Sequence, residues 1–123
     1  RINSTWGGNL ADMVRATLFL EVIETDELVT NAERAGAYLL EGLRELEKAH
    51  PTLISNARGV GLMCAFNLPS PALRDELKDR LYERGVLLLP SGEQALRLRP
   101  ALCVSRVDIE AGLSIIEASL KTL

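Results

Sequence analysis

The 123-residue chain has one histidine, two cysteines and three lysines, and each shortage closes off a class of chemistry. His50 has no second histidine to pair with. It follows Lys48 and Ala49 at the end of a helical pattern, with Pro51 behind it, which marks a helix terminus and not half of a catalytic pair. Cys64 and Cys103 stand in apolar stretches without the paired spacing of a metal site. Two buried thiols in a reducing cytoplasm, and no metal, are expected. No apolar run approaches the ~20 residues of a membrane span, and no stretch has the pattern of a secretory signal. Fourteen basic residues against seventeen acidic ones give a net charge of −3, without a basic stripe. That balance argues against a nucleic-acid partner. Internal repeats and low-complexity tracts are absent as well.

What is present describes an ordinary folded domain. Hydrophobic residues make up 47% of the chain, too many for a disordered tail, and the length suits one domain that buries about two thirds of its unfolded surface. From Leu10 to about Glu24 the pattern is helical and apolar nearly all round: Leu10, Met13, Val14, Leu18, Phe19, Leu20, Val22 and Ile23. A two-helix contact needs only one stripe, so this helix calls for cover on more than one side, from another domain or subunit. After a break at Thr25-Asp26-Glu27, a second helix is expected over about Thr30 to Ala49, with Ala32, Ala35, Leu39, Leu43 and Leu46 facing a core.

The period then changes. Val60, Leu62, Cys64, Phe66 and Leu68 alternate with small or apolar residues, which predicts one strand with both faces largely protected. Pro69-Ser70-Pro71 leads into a third helix carrying Leu73, Leu77 and Leu81, with Gly85 as its stop. Val86 to Leu89 reads as a short strand, and Pro90-Ser91-Gly92 turns it toward Leu96-Arg97-Leu98-Arg99, where leucines and arginines alternate. Ser105 caps a final helix with Asp108 three residues on and Ile109, Leu113, Ile116, Leu120 and Leu123 on its apolar face. The expected fold class is therefore α+β: a small, largely antiparallel sheet with helices on one face.

The chain opens on Ser4-Thr5-Trp6-Gly7-Gly8-Asn9. Hydroxyls beside the free amides of a helix start make a plausible phosphate cradle, while the same residues also describe a plain turn with a helix capped by Asn9. Arg97 offers the rigid donor fork that fits a carboxylate, although a solvent-facing arginine on an alternating strand has the same pattern. In Arg58-Gly59-Val60-Gly61-Leu62 the glycines read first as easing a strand against its neighbours.

These three segments together resemble the class III pyridoxal-phosphate aminotransferases. Asn3-Ser4-Thr5-Trp6-Gly7-Gly8-Asn9 is similar to the segment that opens the C-terminal part of those enzymes. Arg58-Gly59-Val60-Gly61-Leu62 and Leu96-Arg97-Leu98-Arg99-Pro100-Ala101-Leu102 are similar to two later ones, with Ala101 where many relatives have a second proline. The Asn-Ser-Thr-Trp form and Arg99 place the resemblance nearest the branch that acts on L-lysine. It implies a fold type I small domain, pyridoxal 5′-phosphate as cofactor, and a homodimer in which Thr5, with Ser4 and Asn3 as further candidates, binds the phosphate of the neighbouring subunit's cofactor. It assigns Arg97 to the substrate α-carboxylate and leaves Arg99 a structural ion pair.

The implied divisions are residues 1–9 as the cofactor-phosphate loop, 10–50 as linking helices, and 51–123 as the small domain's sheet and helices. The implied reaction moves the ε-amino group of L-lysine to 2-oxoglutarate, giving L-glutamate and 2-aminoadipate 6-semialdehyde. An ornithine, acetylornithine or 4-aminobutyrate aminotransferase has a similar ending, and a non-catalytic domain could use the same scaffold for dimerisation or anion binding. Lys48, Lys78 and Lys121 match no Schiff-base motif of the family. The chain is therefore expected to be a piece of a longer protein, inactive alone, whose catalytic lysine lies upstream.

Overall fold

The computed structural model describes residues 7–123. Asn9 starts α1 (Leu10–Thr25) as its side chain predicts: Oδ1 accepts from the Ala11 N–H at 2.9 Å and from that of Asp12 at 3.4 Å. The break after it is shorter than expected. Asp26 and Glu27 alone reverse the chain, Glu27 with φ 49, and α2 (Leu28–Ala49) begins two residues earlier than the periodicity indicates. Its buried face carries Ala35, Gly36, Leu39, Leu43 and Leu46.

Where the alternation suggested one strand there are two. Strands β1 (Ser55–Val60) and β2 (Met63–Asn67) pair antiparallel through a turn at Gly61-Leu62. The apparent period from Val60 to Leu68 runs across that turn. Leu62, Cys64, Phe66 and Leu68 are buried, but Val60 is 88% exposed on the other side of the hairpin. Strand β1 is hard to recognise because it is irregular: Asn56 has φ 55, and the register shifts between Ser55 and Arg58. Glu47 of α2 holds this bulge by accepting from the N–H groups of Asn56 (2.8 Å) and Ala57 (3.1 Å).

Ser70 caps α3 (Pro71–Glu83), and Gly85, at φ 82, follows its end. Strand β3 (Leu89–Ser91) begins later than expected and takes in Pro90 and Ser91, so the turn to β4 (Ala95–Leu98) consists of residues 92–94. Ser105 and Asp108 form a reciprocal capping box at the start of α4 (Arg106–Leu120).

All pairings in the four-stranded sheet are antiparallel, in the order β1-β2-β4-β3. Cys64, Phe66, Leu96 and Leu98 point to one face and are buried with Leu43, Leu77, Leu81, Ile109, Ile116 and Leu120 from α2, α3 and α4. This is the expected α+β arrangement, with helices on one face. The expected protection of the second face is not supplied by the described residues, since Met63 is 58% exposed there. Among the described residues, helix α1 packs mainly against α2 and none of its residues is buried.

Candidate functional site at the open sheet face

The open face is organised by register. Arg58 lies opposite Ala65, Ala65 opposite Arg97, and Arg97 opposite Leu89, so one row crosses all four strands. Alternation puts these side chains on the face away from the helices, because their neighbours Cys64, Phe66, Leu96 and Leu98 point into the core. Arg58, Gly59, Val60, Met63, Ala65, Ser91 and Arg97 line a concavity on this face.

The two arginines in the row differ. Arg58 is committed within the sheet: one terminal nitrogen donates to the Asn56 carbonyl at 2.8 Å and to Asn67 Oδ1 at 3.0 Å. Arg97 is exposed and forms no ion pair with an acid among the described residues. Ala65 separates them with a side chain too small to fill the gap. Among the described residues the row thus presents one uncommitted guanidinium, a group able to pair with a carboxylate through two parallel hydrogen bonds. Arg99 lies just past β4 and lines a neighbouring depression with Arg97, Leu87 and Leu89. It too lacks an acidic partner among the described residues, so the expected structural ion pair is not seen there.

The surroundings of the row are pinned from the helix side. Arg74, whose side chain is only 13% exposed, donates to the Gly92 and Glu93 carbonyls in the β3–β4 turn. Asn31 Nδ2 donates to the carbonyls of Leu102 (2.7 Å) and Val104 (3.2 Å), tying the segment after Arg99 to the start of α2. Neither residue is legible as important from its own stretch of sequence. Arg74 reads as one charge among many on a polar helix, and Asn31 as a polar residue in a first turn.

The glycines behave as packing devices. A Cβ at Gly59 would meet Cys64 Sγ at 2.5 Å, and one at Gly36 would meet the Gly61 carbonyl oxygen at 2.1 Å. The second contact brings α2 directly against the β1–β2 turn. Burial pushes the Cys64 thiol above its ordinary pKa. Cys103, in contrast, is exposed, so the expectation of two buried thiols holds for Cys64 alone. His50 caps the C-terminus of α2, as its position predicts, and its Nε2 is buried without a partner among the described residues.

The candidates Asn3, Ser4 and Thr5, together with Trp6, lie outside the described residues. The three lysines sit on helix surfaces or ends. Lys78 pairs with Asp79 at 3.1 Å, Lys121 pairs with Glu117 at 2.7 Å, and Lys48 is exposed in the last turn of α2. None of them fits a Schiff base to pyridoxal phosphate, which needs an amine facing an enclosed pocket. No cluster of metal-ligating side chains occurs, and no helix is long and apolar enough to cross a membrane, among the described residues.

The chain is similar to known proteins along nearly its whole length. The chain is 48% identical over 120 residues to L-lysine-epsilon aminotransferase of Mycobacterium tuberculosis and 49% identical over 121 residues to that of Amycolatopsis lactamdurans. Each alignment covers 98% of this chain but only 27% of the relative, so the chain spans little more than a quarter of those proteins. Mitochondrial 4-aminobutyrate aminotransferase of Sus scrofa is 34% identical over 102 residues, covering 83% of this chain and 20% of that protein. Among solved structures, lysine aminotransferase from M. tuberculosis in the internal aldimine form superposes with a TM-score of 0.93 at 47% identity, over 98% of this chain and 28% of that one. The profile of the family described as aminotransferase class III matches residues 2–120. By that match, and by the α+β fold that carries it, the chain belongs to the class III aminotransferases.

Proposed function

We propose that the full-length protein is a pyridoxal-phosphate aminotransferase that moves the ε-amino group of L-lysine to 2-oxoglutarate, giving L-glutamate and 2-aminoadipate 6-semialdehyde. Support for lysine as donor comes from the identities: 48% to lysine-epsilon aminotransferases against 34% to a 4-aminobutyrate aminotransferase. The observation that supports the site assignment is Arg97 at the centre of the open row, without an acidic partner among the described residues. We assign it the α-carboxylate of 2-oxoglutarate, which is bonded directly to the reacting carbon; the α-carboxylate of lysine lies four methylenes from the reacting amine and falls outside the same fork. Its planar fork offers two parallel donors that match the two oxygens of a carboxylate.

The cofactor, when bound, supplies the electron sink for the amino-group exchange. No described lysine fits it, and we place the Schiff-base lysine in the rest of the full-length chain. Thr5, with Ser4 and Asn3, is proposed to bind the cofactor phosphate of a neighbouring subunit in a homodimer. The bare α1, with Leu10 77% and Leu20 68% exposed, supports burial in a larger assembly. Two free thiols support a cytoplasmic setting.

The test compares Arg97→Lys with Arg99→Lys in the full-length enzyme, by single-turnover kinetics of each half-reaction. A lysine point charge replaces one bond of the fork but not both, so Arg97→Lys should weaken 2-oxoglutarate binding by about tenfold or more and L-lysine binding by less. Arg99→Lys should do far less. If Arg99→Lys is the more damaging toward 2-oxoglutarate, the carboxylate belongs to Arg99; if neither matters, the α-carboxylate is bound elsewhere.

A further inference from the structure

The most buried cation among the ion pairs of the described residues is not part of the lining of the open-face concavity. Arg74 lies in the first turn of α3 with a side chain 13% exposed, against 32% or more for the cation of every other ion pair. A guanidinium is costly to desolvate, and it is retained where each face of the fork is satisfied. Here the satisfaction is directional. Nε and one terminal nitrogen grip Asp75 at 2.8 and 3.1 Å, a bidentate pair that orients the plane. The remaining terminal nitrogen is thereby aimed at the β3–β4 turn, where it donates to the carbonyls of Gly92 (3.3 Å) and Glu93 (2.9 Å). The Asp75 carboxyl, held below its ordinary pKa by the same pair, stays charged through the neutral range.

That turn is a weak point in the sheet. Strand β3 has three residues and forms the sheet edge, and its central Pro90 has no N–H to donate. Gly92 sits at φ 59, a conformation with little preference of its own. Three successive carbonyls of the turn are nevertheless engaged from outside: Gly92 and Glu93 by Arg74, and Gln94 by the Leu68 N–H at 2.9 Å. Each of these donors comes from the segment that enters α3. Arg97 is the third residue after the turn and faces Leu89 across the hairpin, while Ser91 just before the turn lines the same concavity. Whatever fixes the turn therefore fixes the outer wall of the carboxylate site.

We infer that the Arg74–Asp75 pair is a positioning device for the substrate carboxylate: it locks the β3–β4 turn and so holds the Arg97 fork in its binding orientation. The inference rests on the assignment of the α-carboxylate to Arg97. Arg74 touches no substrate; it acts through the hairpin.

The experiment is a double-mutant cycle in the full-length enzyme with Arg74→Gln, Arg97→Lys and both together, reading KM and kcat for lysine and for 2-oxoglutarate. Arg74→Gln should raise KM for 2-oxoglutarate by roughly tenfold, with a smaller change for lysine and in kcat, because the fork is present but no longer held. Combined with Arg97→Lys it should add little, since a device that works through Arg97 has nothing left to position. Amide hydrogen exchange in residues 92–96 should become faster in Arg74→Gln, at a rate unaffected by Arg97→Lys. Asp75→Asn, which leaves Arg74 in place but loosens its orientation, should shift KM in the same direction by less, and serves if Arg74→Gln does not fold. A KM effect of Arg97→Lys without one from either Arg74→Gln or Asp75→Asn overturns the positioning role and leaves the Arg97 assignment standing. Multiplicative effects in the double variant overturn it too. If Arg97→Lys leaves KM unchanged, the carboxylate assignment falls, and the positioning role with it.

Discussion

Replacing glycine by alanine at three helical positions should give three different outcomes, and the tertiary structure sets the order. In a helix interior the exchange is intrinsically favourable by about 1 kcal/mol. At Gly112 in α4 an added Cβ meets nothing within 4 Å, so Gly112→Ala should keep most of that gain and stabilise by roughly 0.5–1 kcal/mol. At Gly42 in α2 the Cβ would lie 2.3 Å from Leu113 Cδ1, the end of a flexible side chain that can rotate away. Gly42→Ala should come out near zero. At Gly36 the Cβ would lie 2.1 Å from the Gly61 carbonyl oxygen and 2.2 Å from its carbon, both backbone atoms of the β1–β2 turn. Relief requires α2 and the hairpin to separate by about 1 Å, which loosens the packing of Leu62 and Cys64 beneath them. Overpacking of this kind costs about 1–3 kcal/mol, and the rigid neighbour puts Gly36→Ala at the upper end. It should destabilise by about 1–2 kcal/mol after the helix gain is subtracted. Chemical denaturation of the three variants beside the parent, followed by far-ultraviolet circular dichroism, reads the order directly. A Gly36→Ala protein as stable as the parent would refute the claim that the α2–hairpin approach is rigid.

Further outcomes follow from the same structure. Asp75, Asp108, Glu110 and Glu117 are all held below their ordinary pKa values, chiefly by hydrogen bonds from Arg74, Ser105, Arg106 and Lys121 respectively. A carboxylate depressed in the folded state stabilises it above the unfolded pKa and loses that contribution as pH falls through the folded one. Stability should therefore decline below about pH 4, and less steeply in high salt, measured as denaturation midpoint against pH. Ser105→Ala removes the hydroxyl of the α4 capping box and should cost about 1 kcal/mol, read by the same denaturation assay. A thiol reagent should modify exposed Cys103 first and reach buried Cys64 only on unfolding, a difference visible by mass spectrometry of partly labelled protein. Thr5→Val in the full-length enzyme keeps shape but removes a hydroxyl worth roughly 1.5–3 kcal/mol toward a charged group. Cofactor retention should drop about tenfold, and unchanged retention would make Thr5 a turn residue only.

Local chemistry made much of this protein readable from its residues. Asn9, Ser70 and Ser105 mark helix starts because a short side-chain oxygen satisfies amides two or three residues away, within the same segment. Leu96 and Leu98 go inward and Arg97 outward because a strand alternates with period two, whatever lies above it. The family segments around residues 3–9, 58–62 and 96–102 carried the identification for the same reason: each is a contiguous string. Tertiary structure decided the rest. Strand β1 is defined by Glu47 reaching a bulge from another helix and by β2 pairing beside it, and no periodicity within Ser55–Val60 announces either. Cys103 sits in an apolar stretch but lies exposed in the loop between β4 and α4, so composition misjudged its burial. Arg58 and Arg97 look alike as residues, and only the sheet register shows one tied to Asn67 and the other free. Arg74 becomes important because it reaches a turn eighteen residues further along the chain, to Gly92. Contacts of that range come from how whole elements pack, and the pattern inside any one element does not contain them.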